Sequence, residues 1–160
     1  VVIATHSDQA LALLHDPSDA EREILGAIPY QVNDTVLHTD ERLLPRARRA
    51  RASWNALIPS EPLERVTLTY DMNRLQSIEA PATFCVTLNR ITDIRPDNIL
   101  RRITYHHPVY TLETIDAQGR LREINGVNHT YFAGAYWGHG FHEDGVRSAL
   151  KVCELFGIRL

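Results

Sequence analysis

Hydrophobic residues follow two different patterns along the chain, and the first pattern opens it. Residues 1–5 form a short apolar run, followed by a polar break and by a helical segment over 10–14. A short continuous run with β-branched residues is typical of a buried strand in a parallel sheet. Ser18 and Glu21 then fit a capping box, which predicts a helix that ends before Pro29. The opening is therefore α/β in character.

The middle of the chain changes to a strict alternation of apolar and polar residues. Val66, Leu68 and Tyr70 alternate with threonines, and the same period recurs over residues 84–88. This pattern predicts antiparallel strands with one buried face. Weaker strand candidates are residues 36–37 and 109–110. Residues 111–126 fit neither period, with a candidate turn at 118–119.

The last third returns to the first pattern. Residues 130–133 predict a short strand, and a glycine-rich stretch follows it. Helical spacing then relates four apolar positions, which predicts an amphipathic helix closed by Gly157: Val146, Ala149, Leu150 and Cys153. The chain is thus expected to be one parallel-sheet domain interrupted by an inserted antiparallel sheet, with its first and last segments as neighbours in space.

Composition excludes several classes of protein. The 160 residues are 44% hydrophobic and 23% charged with a net charge of -3, which excludes collagen, disorder and a disulfide-dense mini-protein. No apolar run is long enough for a transmembrane helix, and no global basic charge points to nucleic acid. Two cysteines without a CxxC pair favour a reducing compartment, so a cytoplasmic location is predicted. Because the chain opens on an apolar run without methionine, we expect it to be a piece of a longer protein.

The glycine-rich stretch is the first candidate for function. A strand, a glycine-rich loop and a helix start can hold a phosphate or a flat ring, because glycine allows close approach and the helix start offers N–H groups. Glu143 and Asp144 at the helix entry would repel a bare phosphate. Edge-on contacts through backbone N–H groups are therefore favoured. The alternative is a close-packed turn before a capped helix.

Specific residues in this stretch resemble a known superfamily. Residues 131–134, followed by 140–146, are similar to the C-terminal flavin motif of the flavin-containing amine oxidase and phytoene desaturase superfamily. Further segments resemble, more closely, a bacterial group of predicted NAD/FAD-binding amine-oxidase-like proteins: 4–10, 37–40, 44–45, 53–55, 69–73, 86–89, 107–109 and 134–138. The chain departs from the superfamily in having no GxGxxG fingerprint and in having Asp144 where the motif has Glu.

The resemblance implies a fold and an activity. The implied fold is α/β + β: the C-terminal part of a Rossmann-like FAD-binding domain, over 1–28 and 128–160, interrupted by a mainly antiparallel substrate domain over 29–127. The parent protein would bind FAD and transfer a hydride equivalent from a small-molecule substrate to the flavin. The missing N-terminal part of the same protein would carry the GxGxxG region, and exposed strand edges could pair copies of the chain. The alternative is a non-catalytic binding or structural domain whose glycine loop serves only packing.

The resemblance also implies site residues. The expected cofactor contacts are Gly134, Ala135, Tyr136, Trp137, Asp144, Gly145 and Val146. The expected wall of the substrate cavity is Trp54, Tyr70, Phe141 and His142. Ordinary core packing is the alternative for the aromatic residues, and a solvent-facing loop position is the alternative for His142. No catalytic side chain is assigned, no metal is expected from His139, His142 and Glu143, and the absence of GxSxG gives a hydrolase little support.

Overall fold

The computed structural model describes residues 1–58, 60 and 65–158, and its contacts divide the chain into two compact units. The first unit joins Val1–Gln31 to Pro108–Leu160, and the second is Val32–His107. An interrupted first unit is thus present, with its boundaries at 31/32 and 107/108 where the sequence predicted 28/29 and 127/128. The second boundary differs because residues 112–119 form a helix that packs with the first unit.

The described residues form seven strands and five helices in mixed order. The strands are β1 (Val2–Ile3), β2 (Tyr30–His38), β3 (Trp54–Ala56), β4 (Leu68–Asp71), β5 (Cys85–Leu88), β6 (Ile99–Pro108) and β7 (Tyr131–Phe132). The helices are α1 (Ser7–Leu13), α2 (Asp19–Gly26), α3 (Met72–Leu75), α4 (Leu112–Gly119) and α5 (His142–Leu155). Short 3₁₀ turns connect several of them.

A pair of parallel strands brings the two ends of the chain together in the first unit. Strand β1 pairs with β7, with Val2 opposite Tyr131 and Ile3 opposite Phe132. The predicted proximity of the first and last segments is therefore confirmed. The core of this unit packs α1, α2 and α4 around the strands: Ile3, Ala10, Ile24, Leu25, Ala117, Leu121, Ile124 and Phe132.

Local signals set the ends of two helices as predicted. The Ser18 hydroxyl accepts a hydrogen bond from the N–H of Glu21, and the Glu21 carboxylate accepts one from the N–H of Ser18. This reciprocal pair is the predicted capping box. Gly157 adopts a φ of 75° just after α5, and its N–H bonds to the carbonyl of Glu154. A left-handed glycine there ends the helix as expected.

The second unit is built on a five-stranded sheet in the order β3-β4-β5-β2-β6. The pairs β3–β4, β4–β5 and β2–β5 are antiparallel, which confirms the period-two prediction. Strand β6 lies at one edge of the sheet and was not predicted. Its sequence shows no alternation of apolar and polar residues, and most of its residues are exposed. The strand candidate at 109–110 was wrong: β6 ends at Pro108.

The buried face of this sheet carries threonines and His38 together with Val36 and Cys85. In β4 the buried positions are thus the polar ones, opposite to what the alternation suggests. Thr67, Thr69 and Thr87 are almost fully buried, whereas the neighbouring Leu68 and Val86 are only half-buried. The turns after β2 and before β6 cover the threonine face, with Leu43 and Ile94 packed on Val36. The apolar positions consequently form the more open face.

The fold is therefore a mixture of helices, an antiparallel five-stranded sheet and a small parallel pair. Among the described residues, the longest helix has 14 residues, and none is long and apolar enough to cross a membrane.

Candidate functional site

Hydrogen bonds inside the first unit tie the glycine-rich loop to α5. The N–H of Gly134, at the end of β7, donates to the Ser148 hydroxyl at 2.9 Å. That hydroxyl donates in turn to the carbonyl of Gly145 at 2.7 Å. These two bonds join the end of the strand to the first turns of the helix. The N–H of Gly134, which was expected to contact a flavin, therefore already has a partner within the protein.

Asp144 anchors the same loop from the helix side. One carboxylate oxygen accepts the N–H groups of His139 and Phe141, each at 3.0 Å, and the other accepts from Arg147 at 2.6 Å. The backbone bond from Phe141 is the main reason that the pKa of Asp144 lies below its usual value, and the bond from His139 adds to it. A Cβ at Gly138 would overlap this carboxylate. Asp144 and Gly138 therefore fit together as one packed turn.

The two neighbouring aromatic residues of the loop have different surroundings. Tyr136 is only 3% exposed, and its ring fills the space that a Cβ at Gly134 would need. Burial raises the pKa of Tyr136. Trp137 is partly exposed, with its ring centroid 4.8 Å from that of Tyr136. Among the described residues, no partner at hydrogen-bond geometry reaches the Tyr136 hydroxyl or Trp137 Nε1.

The accessible side chains of the motif lie at the amino end of α5. Phe141 and Val146 are each 53% exposed, and His142 is exposed as well. The helix buries Asp144, Ser148 and Val152 instead of the predicted apolar stripe. Two of these three buried residues are polar because the loop closes on Asp144 and Ser148, and most of the predicted apolar stripe is left outward.

Trp54 and Tyr70 lie in the second unit, on the open face of its sheet. The strand register places Trp54, Tyr70, Val86 and Leu37 side by side across four strands. The Trp54 and Tyr70 rings meet edge to face with centroids 5.5 Å apart, a favoured geometry for aromatic pairs. Burial raises the pKa of Tyr70, so its hydroxyl stays protonated at neutral pH. This row of side chains presents an uncharged, aromatic surface.

A chain of buried polar groups supports the opposite face of the sheet. The N–H of Asp40 donates to His38 Nδ1 at 3.0 Å, so the ring proton lies on Nε2 and is donated to the Thr87 hydroxyl at 2.7 Å. Thr87 and Thr69 share a further hydrogen bond of 2.8 Å. Burial lowers the pKa of His38 and keeps the imidazole neutral. The network fixes the strands that carry the aromatic row.

The sequence did not predict this network, although its residues lie in segments that resemble the amine-oxidase-like group. His38, Thr69 and Thr87 all lie in the quoted segments, at the polar positions of alternating strands. The alternation itself gave no signal for this burial, because threonine is also common on the solvent-facing side of antiparallel strands. These residues hold the sheet and are not placed to contact a substrate on its open face.

Cys85 does not provide a nucleophile. It is fully buried beside His38 in the strand register, and burial raises the pKa of its thiol to about 12, with the nearby Asp71 adding to the rise. A thiol with that pKa is protonated at neutral pH and unreactive. Within the described ranges, no group of three or more His, Cys, Asp or Glu side chains could hold a metal ion.

Comparison with protein-family models finds no match to the sequence, and comparison with curated proteins finds none at a significant level.

Proposed function

We propose that this chain is the C-terminal part of an FAD-dependent, amine-oxidase-like oxidoreductase. The observation that carries the proposal is the parallel pairing of β1 with β7, which unites both ends of the chain around a strand, a glycine loop and α5. A parallel pair of two residues each is too small to be a complete sheet. We therefore propose that this strand pair is part of a larger Rossmann-like sheet, which the N-terminal part of the same protein would complete.

The residues that fit a flavin are the exposed ones at the amino end of α5. Phe141, His142 and Val146 offer apolar and polar contacts there. The start of a helix also favours electron-rich groups. Bound FAD would supply the acceptor for a hydride equivalent. Asp144 and Ser148 would act as positioning residues, because they hold the loop and are occupied by their own hydrogen bonds.

The open face of the sheet in the second unit supports the substrate side of the proposal. Hydride removal from a C–H bond requires a cavity that excludes water. The row of Trp54, Tyr70 and Val86 is uncharged and is held on a rigid sheet. We assign it to the wall of the substrate cavity, with a small apolar or aromatic molecule as substrate.

A cytoplasmic location remains a prediction from cysteine usage.

Flavin content tests the proposal directly. The full-length protein should be purified, and its visible spectrum and the flavin released on denaturation should be measured. We expect a yellow protein whose Val146→Glu variant retains severalfold less flavin, because a carboxylate would replace an apolar contact. Val127→Glu makes the same substitution at another exposed position of the first unit and should keep its flavin. A colourless protein without extractable flavin would contradict the proposal.

The alternative of a non-catalytic domain has one specific observation in its favour. Gly134 and Gly138 are both required by side chains of this chain itself, Tyr136 and Asp144. Gly140 likewise has the Tyr110 hydroxyl 2.7 Å from an added Cβ and a φ of 87°. Packing and backbone conformation therefore account for three of the four glycines in this loop, the exception being Gly145. This alternative predicts a stable, colourless protein, with equal stability in the presence and absence of added FAD.

A further inference from the structure

A cleft in the first unit, away from the amino end of α5, is the strongest remaining candidate for a site. It has a volume of about 720 Å³ and lies between the end of α4, the turn that follows it and the last two turns of α5. That volume falls in the range of small-molecule pockets. Its apolar walls are Leu121, Leu155 and the partly exposed Trp137.

Two cationic side chains at this cleft form no ion pair within the described residues. Arg122 and Lys151 both line it, and neither makes an ion pair with any described residue. Neighbouring arginines differ: Arg120 pairs with Glu23 and Glu123, and Arg147 pairs with Asp144. Lys151 is, in addition, the only lysine in the sequence. The fold thus satisfies the cations next to the cleft and leaves the two inside it available.

The floor of the cleft is held rigidly by amide side chains. Gln118 Nε2 donates to the carbonyls of Tyr136 and Gly138, at 2.8 and 2.7 Å. Asn125 Oδ1 accepts the N–H of Phe132 at 2.8 Å. Both amides line the cleft while bridging separate segments of the unit. A preformed floor reduces the entropy that a ligand must overcome on binding.

We propose that this cleft binds a small monoanion with an apolar body, such as an arylalkyl carboxylate. Arg122 and Lys151 would pair with the anionic group, and Leu121, Trp137 and Leu155 would contact the apolar part. Glu154 also lines the cleft, so the three charged residues sum to one positive charge. A polyphosphate would be repelled by Glu154, which restricts the ligand to a single anionic group. The cleft would bind such an anion whether or not the protein carries flavin.

Titration of the full protein with 4-phenylbutyrate, followed by NMR chemical shifts, tests this site. A dissociation constant on the order of 1 mM is expected for a probe of that size. The neutral 4-phenylbutyramide should bind at least tenfold more weakly, because the charge-assisted hydrogen bonds to both cations are lost. Arg122→Gln and Lys151→Gln should each weaken the carboxylate by about tenfold, and Glu154→Gln should strengthen it. Arg22→Gln removes an exposed arginine of α2 outside the cleft and should leave binding unchanged.

Three outcomes would overturn the assignment. One is no saturable shift change at millimolar probe. Another is equal affinity for the carboxylate and the amide. The third is a loss of stability in Arg122→Gln and Lys151→Gln with binding unchanged, which would mean that these cations serve the fold and not a ligand.

Discussion

At the scale of single residues, the glycines of the loop are required by neighbouring side chains. A Cβ at Gly134 would overlap the ring of Tyr136, which is itself buried. Gly119, in contrast, lies at the end of α4 with nothing within 4 Å of an added Cβ. The same residue type therefore has a steric role at one position and none at the other.

This contrast predicts opposite effects of one substitution. Gly134→Ala should destabilise the protein by about 1–3 kcal/mol through overpacking. Gly119→Ala should be neutral or stabilise it by up to about 1 kcal/mol, because alanine favours a helix over glycine. Urea denaturation of the two variants measures both free energies of unfolding. Equal effects at the two positions would contradict the steric role of Gly134.

The neutral state of His38 predicts a dependence of stability on pH. The pKa of His38 is lowered in the folded protein from 6.5, so the unfolded chain binds the extra proton first. Stability is then complete above pH 6.5 and declines as the pH falls below it, by at most about 1.4 kcal/mol per pH unit. His38→Gln should remove this part of the slope between pH 7 and 5.

The control for this measurement is a histidine in a different environment. His15 is exposed and follows α1. His15→Gln should leave the slope of unfolding free energy against pH as it is in the unmodified protein. If both variants flatten the slope equally, burial of His38 is not its cause.

At the scale of elements, the alternating strands carry their polar side chains inward. The sequence correctly predicted β4 and β5 and their antiparallel pairing, because period two is a property of the backbone itself. It could not predict which face is buried. That choice depends on the turns around Leu43 and Ile94, which cover one side of the sheet and pack together on Val36 although they lie about 50 residues apart in the chain.

Two adjacent residues of β5 test the inverted face. Thr87→Val has nearly the same shape but removes the acceptor of His38 Nε2 and the partner of Thr69. It should cost about 1–3 kcal/mol, because buried polar groups are left unsatisfied. Val86→Thr, on the open face, should cost less than about 1 kcal/mol. Thermal or urea unfolding that shows the reverse order would mean that the apolar face is the buried one.

At the scale of the whole molecule, each unit has its own hydrophobic core. Ile24 lies at the centre of the core of the first unit, and Val36 belongs to that of the second. Both side chains are almost completely buried. Separate cores imply that damage to one should be felt mainly within its own unit.

Core truncations followed by native-state hydrogen exchange test this division. Ile24→Ala should cost about 2–5 kcal/mol and reduce amide protection in residues 1–31 and 108–158. Val36→Ala should cost about 1.5–3 kcal/mol and reduce protection in residues 32–58 and 65–107. Loss of protection across both units in either variant would show that they unfold as one.

The sequence alone determined the local features of this protein: the capping box at Ser18, the glycine end of α5 and the strands of period two. These follow from hydrogen bonds and side-chain periods within a few residues of each other. Only the tertiary structure decided which faces are covered, that Asp144 and Ser148 close the glycine loop, and that Arg122 and Lys151 share a cleft. Those outcomes depend on contacts between residues far apart in the chain, and no local pattern encodes them.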